Sequence, residues 1–109
     1  PLCFAACGAS IVIYQMGGGA MPMHPMMPAI NPTVVSPFLY VTGNANAYEK
    51  SPDNFDFDSS SIMTEARDIE VVGEELLDHL LRIASGTYTK METLNYAEQL
   101  EIFMEGPEL

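Results

Sequence analysis

Basic residues are scarce in this chain, and their scarcity limits its possible partners. The 109 residues include 4 Lys and Arg against 15 Asp and Glu, which gives a formal net charge of −11. A surface of this sign repels the phosphates of nucleic acids and the headgroups of anionic lipids. We therefore expect no nucleic-acid partner and no membrane partner.

Long apolar runs and a basic leader are also missing from the sequence. No uninterrupted apolar stretch approaches the roughly 20 residues that a helix needs to cross a bilayer. The N-terminus begins with Pro1 rather than Met and has no basic region ahead of an apolar segment. We interpret the chain as a fragment of a larger protein and expect it to be cytoplasmic.

Cysteine is limited to Cys3 and Cys7. Four residues apart on a helix, the two thiols would share a face, as a pair of metal or cluster ligands would. Two thiols without a nearby His make an incomplete site, because clusters usually need four ligands. We favour the interpretation that both are small buried apolar side chains in a reducing compartment.

The residues that are present predict one α/β domain. The apolar fraction is 48%, as in a globular protein. Residues 10–15 and 38–42 are short β-branched and aromatic runs that end at glycines, which is typical of buried parallel strands. We predict a small three-layer, Rossmann-like α/β unit with a short, mostly parallel sheet. It would be a single domain over residues 1–109, with a core at 8–94 and a tail at 95–109.

Helical signals are clearest at residues 68–85. Asp68 is a good N-cap and Gly86 a good C-terminal cap. A single helical turn is expected at 46–50, an extended piece at 55–57, and the tail of a helix at 2–9. Thr89 and Glu92 have the spacing of a capping box. Five apolar residues of the main helix form one stripe at helical spacing: Ile69, Val72, Leu76, Leu80 and Ile83.

Three glycines, Gly17, Gly18 and Gly19, follow the first predicted strand. Successive backbone N–H groups without Cβ atoms can converge on an anion. The spacing fits neither a P-loop nor a dinucleotide-binding fingerprint. A turn that contacts a ligand and a plain tight turn therefore both remain open.

The segment Met21–Met27 combines methionines with His24 inside a proline-rich connector at 20–37. Thioether and imidazole ligands suit Cu(I), so a copper carrier is one interpretation. Methionine packing against a neighbouring surface is the one we favour. His24 is either a proton donor or a simple loop residue.

Clustered carboxylates at Asp53, Asp56 and Asp58 are weak candidates for a divalent-cation site. The spacing fails as an EF-hand loop, because Ser61 and Arg67 stand where glycine and glutamate are needed. We favour an acidic loop whose aspartates cap turns.

An ordered set of motifs, from about Gly8 to Leu94, resembles the C-terminal region of the altronate and galactarate dehydratase family, which includes sulfolactate sulfo-lyase large subunits. The chain looks like a divergent branch of it. The matching pieces are Ile11–Gln15, Gly17–Gly19, Thr42-Gly43-Asn44, Tyr48-Glu49, Asp53-Asn54-Phe55-Asp56, Val72-Gly73-Glu74-Glu75-Leu76, Ala84-Ser85-Gly86 and Thr89-Lys90-Met91-Glu92.

The resemblance implies a hydro-lyase that removes water from a small hydroxy acid, with a divalent metal, Fe²⁺ or a similar ion, in the full-length enzyme. The main catalytic and metal-binding groups are expected in preceding domains, so this fragment would hold no cofactor and be inactive alone. It would act as scaffold or pocket wall, and a homo-oligomer is possible. Candidate substrate contacts are Gly17, Gly18, Gly19, His24 and Asn44. The alternative is a non-catalytic assembly module that docks through its Met-rich loop and acidic tail.

Overall fold

The computed structural model describes residues 2–16 and 35–93. They form three strands and five α-helices, with a short 3₁₀ turn at Pro52–Asn54. In chain order the elements are α1 (Leu2–Ala6), β1 (Val12–Met16), β2 (Phe38–Thr42), α2 (Ala45–Lys50), β3 (Phe57–Asp58), α3 (Ser61–Thr64), α4 (Ile69–Ala84) and α5 (Lys90–Thr93).

The three described strands form one parallel sheet in the order β1-β2-β3. Val12 pairs with Phe38 at one end of β1, and Met16 pairs with Thr42 at the other. β3 pairs with the last two residues of β2, Val41 and Thr42. All five residues of β2 are buried, as expected of a central strand in a parallel sheet covered on both faces.

Alternation along β2 sends its side chains into two separate cores. One core contains Phe38 and Tyr40 and packs against α2, α5 and the turn before β3. The other contains Leu39 and Val41 and packs against α4. Helices therefore cover both faces of the sheet, and the predicted small α/β fold with a parallel sheet is confirmed. The Rossmann-like description stays a prediction.

Helix α4 is placed by its apolar stripe and by its caps. Val72 and Ile83 are buried, and Leu76 and Leu80 pack partly buried against the sheet. Asp68 Oδ1 accepts a hydrogen bond from Glu70 N at 2.9 Å, as predicted for the N-cap. The helix ends at Ala84, and Gly86 follows with a φ of +102°, a conformation that L side chains rarely adopt.

Three expectations about burial are wrong. Residues 10–15 were expected to form a buried strand, but Ile13 and Tyr14 are 47% and 43% exposed, because β1 lies at the border of the described sheet. Ile69 was expected in the buried stripe, but its side chain is 67% exposed and lines an open groove shared with β1. Cys7 is exposed rather than buried. It follows α1, which ends at Ala6, and it precedes Gly8, whose φ of +90° turns the chain away.

The helix tail expected at 2–9 ends at Ala6, and the other local predictions match the structure within one or two residues. The first strand occupies 12–16 rather than 10–15, and the helical turn expected at 46–50 occupies 45–50. The extended piece is at 57–58 rather than 55–57, since the 3₁₀ turn extends to Asn54. The capping box is confirmed: Thr89 N donates to Glu92 Oε2 at 2.7 Å, and Glu92 N donates to Thr89 Oγ1 at 3.3 Å.

Candidate functional site

The carboxyl ends of β2 and β3 lie side by side and define the candidate site. Thr42 and Asp58 are partners in the register, so the turns that follow them leave the sheet at the same edge. We call residues Thr42–Asn44 and Asp58–Ser60 the carboxyl edge. Ligands of open α/β sheets bind outside this end of the strands.

Thr42 and Ser59 hold the two turns of the carboxyl edge together. The carbonyl oxygen of Thr42 accepts hydrogen bonds from Ser59 N at 2.8 Å and from Ser59 Oγ at 3.0 Å. The side-chain oxygen of Thr42 accepts from Asn44 N at 3.1 Å, and the Thr42 side chain is almost fully buried. These bonds fix the position of Asn44 relative to β3. From the sequence, Thr42 was identified only as part of a motif, and no role was predicted for Ser59.

Asn44 caps α2 and occupies the carboxyl edge. Its Oδ1 accepts hydrogen bonds from Asn46 N at 3.1 Å and from Ala47 N at 3.2 Å. Asn44 was predicted from sequence as a substrate contact, and the structure places it at the ligand-binding end of the sheet. Substrate contact itself stays a prediction.

The three aspartates of the predicted acidic cluster, Asp53, Asp56 and Asp58, have different positions and hydrogen bonds in the structure. Asp53 is exposed in the 3₁₀ turn. Asp56 accepts hydrogen bonds from Tyr40 N at 2.9 Å and from Lys90 N at 2.7 Å. Asp58 accepts from Ser60 N at 2.8 Å and from Ser60 Oγ at 3.0 Å.

The described residues do not fit a metal ion. Within residues 2–16 and 35–93, His, Cys, Asp and Glu side chains nowhere gather in a group of three that could hold one. The carboxylates of Asp56 and Asp58 already accept hydrogen bonds from neighbouring donors, as a turn-capping role requires.

The remaining site predictions fall outside the carboxyl edge or outside the described residues. Gly17, Gly18, Gly19 and His24 lie beyond the described part of the chain, as does the rest of the Met-rich segment. His79 on α4 is not one of the site candidates, and its ring packs against that of Phe57, with centroids 6.1 Å apart.

Tyr40 lies on β2, two residues before Thr42, in an aromatic cluster. Its ring centroid is 4.9 Å from that of Phe38 and 5.8 Å from that of Tyr14. Burial, together with the nearby Tyr14 and Asp56, raises the pKa of Tyr40 from 10.0 to about 12. The folded state therefore holds this proton more tightly than the unfolded chain does.

We expect alkaline pH to destabilise the domain through Tyr40. Because the folded pKa is raised, the full stability is present below pH 10, and about 2.5 kcal/mol is lost as the pH rises from 10 to 12. Urea unfolding at a series of pH values measures this loss. Tyr40→Phe should remove it, whereas Tyr88→Phe, at a 75% exposed position, should keep it. If the free energy of unfolding of Tyr40→Phe still fell in the same way between pH 10 and 12, another group would be responsible for the loss.

An apolar groove of about 270 Å³ lies on the α4 side of the sheet. β1 contributes Ile13 and Gln15 to its walls, and α4 contributes Ile69, Gly73 and Leu76. We call it the α4–β1 groove. It opens beside β1, where Ile13 is 47% exposed, and it reaches the carboxyl edge at Ser59, which also lines it.

The described part of the chain thus defines a small parallel α/β domain with a polar edge at its strand ends. None of the helices in residues 2–16 and 35–93 has the length and apolar character to cross a membrane. The sequence profile of the D-galactarate/altronate dehydratase C-terminal domain matches residues 2–107. The chain belongs to this family, as its motifs predicted. No curated protein and no solved structure matches it significantly.

Proposed function

We propose that this domain forms one wall of the substrate pocket in a hydro-lyase that acts on small hydroxy acids. The observation that carries the proposal is the carboxyl edge of a parallel sheet in a chain of the dehydratase family. The reaction would break a C–H bond next to a carboxylate and the neighbouring C–O bond, releasing water.

The role of this chain in that reaction is to bind and orient. Oδ1 of Asn44 is occupied by the helix cap, so Nδ2 is the half of the amide left to donate to a substrate carboxylate or hydroxyl group. The Thr42–Ser59 hydrogen bonds hold Asn44 in position before substrate arrives, which lowers the ordering cost of binding.

The proton-abstracting base and the metal are proposed to come from other domains of the same enzyme. Asp56 and Asp58 accept hydrogen bonds within the fold, and no group of three possible metal ligands exists among the described residues, so we assign no metal-dependent step to this chain's aspartates. The 109-residue chain alone should not dehydrate D-galactarate or altronate, and joining it to the remaining domains should give turnover. Substantial turnover by the chain alone would contradict this division of roles.

Asn44→Asp tests the pocket wall without removing the cap, because Asp and Asn are comparable N-cap residues. In the intact enzyme the new charge should repel the substrate carboxylate by about 1.4 kcal/mol or more, which corresponds to a KM at least tenfold higher. The effect on kcat should be smaller, since the carboxylate is bound in both ground and transition states.

Asn54→Asp is the matched control. It makes the same chemical change in the 3₁₀ turn that precedes β3, at the opposite end of the strand from Asp58. Its KM should stay near the wild-type value. Equal KM values for Asn44→Asp and the wild type would reject the pocket-wall role and favour a non-catalytic assembly module.

A further inference from the structure

β1 has an unpaired edge within the described structure. Val12 N donates to the carbonyl oxygen of Pro37 at 3.0 Å, so the backbone of Val12 faces β2. Backbone groups of alternate residues in a strand point to opposite sides, and those of Ile13 and Gln15 therefore point away from β2. No other described strand lies on that side.

This edge lacks the usual protection against pairing. β1 has the sequence Val-Ile-Tyr-Gln-Met, with no proline and no charged residue. Its two faces are also only half covered, because Ile13 is 47% exposed on one side and Tyr14 is 43% exposed on the other. An apolar strand of this kind is typical of the inside of a parallel sheet rather than of its border.

The α4–β1 groove continues the uncovered surface onto α4. Ile69, Leu77 and Leu81 are 67%, 55% and 56% exposed and, with Gly73 between them, form a row at a spacing of four residues. A Cβ atom added at Gly73 would meet nothing within 4 Å. The row thus presents an apolar ridge with a depression, to which another helix can pack closely.

Charge indicates what could cover this ridge. Ile69, Gly73 and Leu77 are each followed by an acidic residue, Glu70, Glu74 and Asp78, whereas Leu81 is followed by Arg82, so the row is acidic over its first three positions. This second row borders the ridge with negative charge. A second copy of the chain would bring the same row and a net charge of −11, so an opposing surface with Lys or Arg is the better complement.

We propose that the free edge of β1 and the α4–β1 groove receive a strand–helix unit from the remainder of the enzyme. The strand pairs in parallel with β1 through Ile13 and Gln15. The helix packs its apolar face on Ile69, Leu77 and Leu81 and places basic residues opposite the acidic row. This proposal rests on the proposed function only in assigning the chain to a larger enzyme.

Hydrogen exchange in the intact enzyme tests the proposal at both of its parts. The amides of Ile13 and Gln15 should be protected in the intact enzyme and should exchange at least tenfold faster in the 109-residue chain. Leu77→Lys, which puts a cation where an apolar helix face should lie, should speed their exchange at least tenfold in the intact enzyme.

Val71→Lys is the matched control, because Val71 is 46% exposed on the other side of α4. It should leave the two amides protected. Equal effects of the two lysine substitutions, or protection that survives Leu77→Lys, would overturn the proposal. Protection already present in the 109-residue chain would do so too, since the occupant would then be a segment of this chain or a second copy of it.

Charge reversal on α4 and the dehydration assay separate the remaining possibilities. Glu70→Lys combined with Glu74→Lys should weaken protection of the β1 amides in the intact enzyme. Unchanged protection would contradict the proposal that the docked helix carries basic residues. The dehydration assay is independent of both results. An intact enzyme with protected amides but no dehydratase activity would reject the proposed function and leave the docking surface supported.

Discussion

Phe38→Ala is expected to cause a large loss of stability, about 3–5 kcal/mol, because it empties the centre of one core. Phe38 is 1% exposed and packs its ring on those of Tyr14 and Tyr40, with centroids 5.7 and 4.9 Å away. Domains of this size are stable by about 5–15 kcal/mol, so the variant should lose a large fraction of its stability. Urea denaturation of the 109-residue chain, followed by circular dichroism, measures the change.

Phe4→Ala is the matched control for this prediction. Phe4 lies on α1 and is 63% exposed, so the same truncation should change stability by less than about 0.5 kcal/mol. If the two variants differed by less than about 1 kcal/mol, Phe38 would not be at the centre of a packed core.

Asp56→Ala is expected to lower the free energy of unfolding by about 3 kcal/mol, because it leaves two backbone donors without an acceptor. One oxygen of the carboxylate accepts from Tyr40 N in β2, and the other accepts from Lys90 N at the start of α5. Asp56 N also donates to the Tyr40 carbonyl oxygen at 2.8 Å. The side chain therefore ties α5 to the sheet over a separation of 34 residues.

Two variants distinguish the loss of this bridging role from the loss of one negative charge. Asp56→Asn keeps one acceptor oxygen and should lose about half as much stability as Asp56→Ala. Asp53→Ala removes a carboxylate from the exposed 3₁₀ turn and should have little effect. Exchange at the Lys90 amide should speed up in Asp56→Ala. Equal stability of the Asp56 and Asp53 variants would show that the two hydrogen bonds contribute nothing net.

Features that depend on near neighbours in the chain could be predicted from sequence. β2 was predicted with its observed bounds because its apolar residues are contiguous and a glycine follows at once. The Asp68 cap and the Thr89–Glu92 capping box connect residues only two or three positions apart, so their chemistry is visible in the sequence. Family membership was predicted for a related reason, since the order of short motifs survives in the primary structure.

The candidate site was only partly predictable. Asn44 could be found because it follows a predicted strand and precedes a helical turn. Its partners could not: Thr42 and Ser59 are 17 residues apart, and only the register of β2 and β3 brings them together. The same holds for Asp56, which resembled a metal ligand in sequence and is a structural bridge in the fold.

The amino-acid sequence by itself determined the acidic character of this protein, its two main strands, its long helix and its family, because composition, periodicity and capping act over a few residues. Only the tertiary structure decided which apolar residues are left uncovered. Ile69 and Val72 belong to one predicted stripe, yet Val72 is 2% exposed and Ile69 is 67% exposed. Burial of a helical residue depends on which element packs against it. Helical periodicity identifies the apolar face of the helix but does not show whether another element covers each residue of that face.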